Sequence, residues 1–168
     1  MYHGWGVGRI IPMEMDIWTG RVEPGWIDYN GHMNVAYYHM AFDQSTDEFL
    51  DEIGLGERYL AREPGSMFAL EDHMTYQREL EKGDPLRITL QLLDFDEKRV
   101  HYFLRMYHAE KGYLAATMEH LSTFVDMRDR RSAAMPPEVQ RALAKLHDEH
   151  RQLDRPAEVG RLMGIRRR

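Results

Sequence analysis

The chain has 168 residues, 43% hydrophobic and 30% charged, with a formal net charge of −6 and no cysteine. Such a length supports one hydrophobic core, the composition excludes fibrous and disordered classes, and the missing thiols exclude disulfides and thiolate metal sites. The acidic balance argues against nucleic-acid binding, and no apolar run approaches the ~20 residues of a membrane span or reads as a signal peptide, so a cytoplasmic location without membrane contact is expected.

Residues 1–12 carry glycines at 4, 6 and 8 and read as an N-terminal extension; no strand precedes them and Pro12 follows, so they do not make a nucleotide loop. Met13, Met15, Ile17 and Thr19 alternate with polar partners and predict a first strand, ended by Pro24-Gly25. The stretch Trp26-Ile27-Asp28-Tyr29-Asn30-Gly31-His32-Met33-Asn34 comes next, crowding polar groups into a short loop. From Val35 to Ile53, Tyr38, Ala41, Phe42, Ser45, Phe49 and Ile53 recur at three- and four-residue spacing, the stripe of a helix buried on one face. Asn34 sits where an N-cap belongs, and Gly54 and Gly56 where a helix stops.

The period then changes to two. Phe68, Leu70, Met74 and Tyr76 form one row, Leu86, Ile88, Leu90 and Leu92 a second, and Val100, Tyr102, Leu104 and Met106 a third. Tyr113, Ala115, Thr117, Leu121, Thr123 and Val125 form the fourth. Short turns at Lys82-Gly83-Asp84-Pro85, Asp96-Glu97-Lys98 and Glu110-Lys111-Gly112 make these strands antiparallel neighbours. Pro136-Pro137 opens a second helix with Val139, Ala142, Leu143, Leu146 and Leu153 on one face, and Arg166-Arg167-Arg168 ends the chain in a frayed tail. The expected class is α+β: a curved antiparallel sheet of about five strands wrapped around one long helix, with residues 13–135 as the domain and a C-terminal helix and tail, 136–168, packed on it. His147-Asp148-Glu149-His150 lacks the spacing that puts two imidazoles on one metal, and His101, His108 and His120 are scattered over strands, so no metal is expected.

That element order, joined to Asp28 and Gly31 ahead of the helix, resembles the hotdog-fold acyl-CoA thioesterases of the 4-hydroxybenzoyl-CoA thioesterase branch; Asn30, His32 and Asn34 match a related Asn-x-His-x-Asn pattern of plant-type acyl-ACP thioesterases. The resemblance spans roughly residues 13 to 127. A narrower likeness, through residues 26–34, Thr75-Tyr76-Gln77-Arg78-Glu79-Leu80 and Gly160-Arg161-Leu162-Met163-Gly164-Ile165, is to bacterial thioesterases of carnitine breakdown, for which betainyl-CoA is the implied substrate.

Thioester hydrolysis needs an activated water or nucleophile, donors for an oxyanion, and an acyl slot. Asp28 is the expected base or nucleophile, with a pKa raised from ~3.9 by burial beside Trp26 and Tyr29. The unpaired N–H groups and dipole of the helix starting near Asn34 suit a developing oxyanion. Gly31 permits close backbone approach, while Asn30, His32 and Asn34 orient water or hold the carbonyl. Asp43 is a secondary candidate; the bland reading of Asp43, Asp47 and Glu48 is a solvated helix face. Trp26, Tyr29, Tyr37, Tyr38 and Tyr76 are dense enough for an acyl pocket, or for an aromatic box around a trimethylammonium head, although core packing accounts for most such aromatics. Glu71 and His73 are placed as substrate neighbours of Asp28, within the chain or across a subunit boundary. Arg78, Lys82, Arg99 and Arg128 are the candidates for the coenzyme A phosphates. No cofactor beyond the coenzyme A of the substrate is expected, and an exposed sheet edge predicts a homodimer or homotetramer. The alternative function is a non-catalytic hotdog module that binds acyl groups or serves assembly.

Overall fold

The computed structural model describes residues 13–165; the expected extension 1–12 and Arg166–Arg168 lie outside the described residues. Strand β1 (Met15–Arg21) is followed by a single 3-10 turn (Pro24–Trp26), the central helix α1 (Val35–Glu52) and a short helix α2 (Glu57–Leu60). Four long strands follow, β2 (Gly65–Tyr76), β3 (Pro85–Phe95), β4 (Arg99–His108) and β5 (Leu114–Asp126), then the two-residue β6 (Arg131–Ser132) and helix α3 (Pro137–His150). The strands form one antiparallel sheet in the order β1-β3-β4-β5-β2, with β6 beside the end of β5. This is the α+β architecture expected, with α2 and β6 added; elements of four and two residues are too short to carry a readable period.

The sheet wraps α1. Ala41, Phe42 and Phe49 of the helix are fully buried among Leu90, Leu104, Tyr102 and Met118, and the Phe49 and Tyr102 rings meet at 5.2 Å between centroids. Val139 and Leu143 of α3 join the same core. His150, at the end of α3, accepts the Leu92 N–H on Nδ1 at 2.9 Å, and the chain beyond crosses the outer sheet face, where Asp154 C=O accepts from the Gln91 amide and Gly160 N–H donates to Glu119 Oε2.

The expected β2–β3 neighbour pair is not formed: the link between them carries buried Leu80, whose C=O accepts the Met33 N–H, so the chain crosses over, β2 pairs with β5, and β3 takes β1. Three readings within strands also need correction. A bulge between Asp16 and Trp18 breaks the alternation of β1, so Trp18 packs on the core and Thr19 faces solvent. A second bulge, at Leu70, flips the parity of β2: Leu70 is 55% exposed, and Phe68 pairs with Thr123 on the outer face under the Arg130 guanidinium. In β5 the predicted row is the outer one. Directly opposed residues share a face, and Tyr102, Leu104 and Met106 of the core oppose His120, Met118 and Ala116. Ala115 and Ala116 are both fully buried, so β5 is covered on both sides and shows no polar alternation to read.

Candidate active site

The crowded loop closes on itself. Ile27 and Met33 form an isolated antiparallel bridge, Asp28 N–H donates to His32 C=O at 3.1 Å, and Gly31 N–H donates to Asp28 C=O at 3.0 Å. Gly31 takes φ +86°, a left-handed conformation that a Cβ disfavours. Asp28 Oδ1 accepts the Asn30 N–H at 2.8 Å, the Asx turn that a short carboxylate makes with the backbone two residues on. Among the described residues Asp28 Oδ2 has no hydrogen-bond partner, and the side chain is half-buried.

Both ends of the loop are pinned. Asn34 N–H donates to Trp26 C=O at 2.9 Å, and Met33 N–H to Leu80 C=O at 2.8 Å, which ties the loop to the segment before β3. That segment is itself buttressed by buried His108. Its Nδ1 accepts the backbone N–H groups of Glu110 and Lys111, so the proton resides on Nε2, which faces Asp84 Oδ1 at 3.2 Å. Asp84 Oδ2 in turn accepts the Glu81 N–H.

At the start of α1, Asn34 Oδ1 accepts the Ala36 N–H at 3.0 Å and Asn34 C=O accepts from Tyr37. The Asn34 side chain is thus committed to the cap and does not reach out to hold a substrate carbonyl. Val35 N–H is left as the first-turn donor without an acceptor among the described residues, and Val35 is 60% exposed.

The aromatics divide into two pairs. Trp26 stacks on Tyr37 at 5.6 Å, and buried Tyr38 meets half-exposed Tyr76 edge-on at 5.4 Å, their planes 84° apart. Burial pushes the Tyr38 phenol up to about 12, so it remains a neutral hydroxyl. Tyr29 is 97% exposed and does not cover Asp28, because the turn throws its side chain outward.

His32 Nε2 lies 3.7 Å from Glu79 Oε2 at the rim. Asp43 is exposed on α1, and burial with the neighbouring carboxylates Asp43, Asp51 and Glu48 raises the Asp47 pKa. Glu71 and His73 point the other way from Asp28's side of the strand. They oppose Leu121 and Glu119 on the outer face and line, with His101 and Gly160–Met163, a cleft of about 500 Å³. Facing α1 instead is Asp72, in phase with Met74 and Tyr76. Its carboxylate joins two imidazoles: Oδ1 accepts from His120 Nδ1, and Oδ2 from His39 Nε2 of α1 at 3.3 Å. The His120 ring lies 4.7 Å from that of Tyr102. Sequence reasoning missed His39 and Asp72; the signal was the period-two phase that Asp72 shares with Tyr76.

The four basic candidates do not converge within one chain. Arg78, stacked 3.9 Å over the Tyr113 ring, and Lys82 belong to the segment that pins the Asp28 loop. Arg99 is engaged by Asp96, and Arg128 by Asp126, at the opposite end of the sheet. Among the described residues no group of His, Asp and Glu has metal-holding geometry.

A sheet curled around one helix, with an aspartate loop at that helix's start, defines the hotdog class of thioesterase-like proteins. The sequence profile of the Thioesterase-like superfamily matches residues 22–143, and the chain belongs to that family. It is 34% identical to the betainyl-CoA thioesterase of Pseudomonas aeruginosa over 86% of this chain and 91% of that protein. It is 33% identical to the L-carnitine dehydrogenase/betainyl-CoA thioesterase of Rhizobium meliloti over 98% of this chain, but spans 37% of the length of that longer protein. Among solved structures, a Staphylococcus aureus protein in complex with CoA superposes with a TM-score of 0.85 at 30% identity, covering 92% of this chain and 98% of the other.

Proposed function

We propose that this chain hydrolyses a small acyl-CoA thioester to the free acid and coenzyme A. The carrying observation is the Asp28 carboxylate, one oxygen fixed by the Asn30 N–H and the other without a partner among the described residues, on a loop bonded through Asn34 at the cap of α1 and through Met33 to the segment before β3. The thioester oxygen takes the Val35 N–H, where the helix dipole favours negative charge, and gains strength of binding as it becomes an oxyanion. Asp28 Oδ2 then either removes a proton from the attacking water or attacks the carbonyl carbon itself. Asn30 and Gly31 shape the turn that aims the carboxylate, and His32 stands at its rim.

The favoured substrate is betainyl-CoA, supported by the two relatives named for that activity. The perpendicular Tyr38 and Tyr76 rings supply two walls of the kind that bind a trimethylammonium head, each face contributing about 0.5–2 kcal/mol. Release of free thiol from betainyl-, acetyl-, aromatic and medium-chain acyl-CoAs tests the reading. Turnover of at least one is expected, falling on the order of 10²–10⁴-fold in Asp28→Asn; no turnover of any acyl-CoA, or an unimpaired Asp28→Asn enzyme, overturns it. Tyr76→Leu is expected to impair betainyl-CoA far more than acetyl-CoA, and equal losses remove the cation box.

A further inference from the structure

We propose that His39, held by Asp72, is a second proton-handling residue of this site, the general acid that protonates the departing thiolate. The inference rests on the thioesterase reading above and adds a residue to it.

The argument begins with hydrogen-bond chemistry. An ionised carboxylate can only accept, so the proton in the His39–Asp72 contact belongs to His39 Nε2, leaving Nδ1 free to carry and release a second proton. Asp72 is well suited to that partner. The His120 hydrogen bond, with smaller contributions from His120 charge and from His39, holds its carboxyl below the usual range, so it persists as an anion beside an imidazolium. A base oriented by a carboxylate, with its far nitrogen open, is the arrangement that positions imidazoles in acyl transfer.

Placement on the helix supplies the second half. His39 lies four residues beyond Val35, hence on the same face one turn later, and helix side chains lean back toward the N-terminus. His39 therefore shares the α1 face of Val35, whose N–H has no acceptor among the described residues. Its side chain is 51% exposed, which leaves Nδ1 open to solvent for recharging. The other titratable groups around it are His120 on β5 behind Asp72, Asp43 one turn further along α1, and Tyr76 further along β2.

The step balances. Water oxygen bonds to the carbonyl carbon as Asp28 takes one of its protons; the C–S bond then breaks, its electron pair goes to sulfur, and His39 imidazolium gives that sulfur the Nδ1 proton. The product acid ionises, Asp28 releases the proton it took, and neutral His39 recovers one from solvent, so the net change is thioester and water to carboxylate, thiol and one proton.

Leaving-group dependence separates this role from a structural one. An S-aryl thioester carrying the same acyl group expels a thiolate that needs no proton. His39→Gln is expected to lower kcat on the acyl-CoA about 10²-fold while leaving the aryl thioester nearly unchanged. Asp72→Asn, which removes the carboxylate that orients His39, is expected to lower kcat on the acyl-CoA in the same direction and to spare the aryl thioester. Melting temperatures of both variants accompany the rates, and His39→Asn repeats the comparison if either fails to fold. Full acyl-CoA turnover in a folded His39→Gln, or equal losses on both thioesters, overturns the proposal. A wild-type chain active on acyl-CoA but lost only in Asp28→Asn thus leaves the hydrolase standing without this residue.

Discussion

At the scale of single residues, the loop ahead of α1 joins two demands in one turn: a carboxylate held against its own backbone, and a helix start kept open. Gly31 serves the first. With φ at +86° and nothing within 4 Å of where a Cβ would stand, substitution there meets backbone strain and not a clash. Gly31→Ala is therefore expected to cost about 1–2 kcal/mol, and Gly31→Asn less, because Asn visits the left-handed region more readily. Melting temperatures should rank Gly, Asn, Ala, and kcat should follow the same order; Ala equal to Gly in both would show that the turn does not depend on that conformation. Asn34 serves the second demand. Asn34→Ala removes the acceptor of the Ala36 N–H, and a loss of about 1 kcal/mol in chemical denaturation is expected.

At the scale of elements, α3 is tied to the sheet by His150, buried, with Nδ1 accepting the Leu92 N–H. Only the neutral ring can accept there, and burial lowers its pKa below the ordinary 6.5, with smaller opposing effects from Glu149 and Glu14. Where a histidine pKa is lower folded than unfolded, the unfolded chain binds more protons, so stability rises with pH. The contribution is full above about 6.5 and is lost as pH falls through the folded pKa. Thermal unfolding between pH 7.5 and 5 should show this decline, and His150→Gln should flatten it; an unchanged slope in the variant would place the effect elsewhere.

The same scale shows what could be read in advance. The α1 stripe from Tyr38 to Phe49 and its Asn34 cap were legible because one face is buried and the other wet, which writes a 3.6-residue period into the chain. The neighbours β3–β4 and β4–β5 followed from short turns, whereas the link at Lys82–Pro85 misled, since β2 lies beside β5 and β3 takes β1. Illegible were the phase of β2 beyond its Leu70 bulge and the faces of β5, since a bulge shifts parity without a residue signature and a strand covered on both sides has no polar face. Asp28 and Gly31 stood out as turn chemistry, whereas the direction of Asp72 toward α1, and of Glu71 and His73 to the outer face, could not be read across that bulge.

At the scale of the whole molecule, β2 is an edge strand of twelve residues with one side unpaired among the described residues, beside exposed Leu70 and Tyr76. Long bare edges invite pairing. Antiparallel pairing of β2 with its own copy sets the Gly65 end of one strand against the Tyr76 end of the other. Asp126 pairs with Gly65, and Arg128 lies two residues beyond it, whereas Arg78 and the Asp28 loop lie at the Tyr76 end. The dimer would thereby bring Arg128 of the partner subunit toward Arg78 and Lys82, gathering cations that one chain holds at opposite ends of its sheet. Two consequences follow if β2 is the seam. Leu70→Lys, a charge on the bare edge, should shift the particle in light scattering from twice the chain mass toward one. It should also raise KM for acyl-CoA, as should Arg128→Ala, although the latter lies far from Asp28 of its own chain. A dimer unaffected by Leu70→Lys, with KM unchanged in Arg128→Ala, would show that the coenzyme's phosphates are held within one subunit.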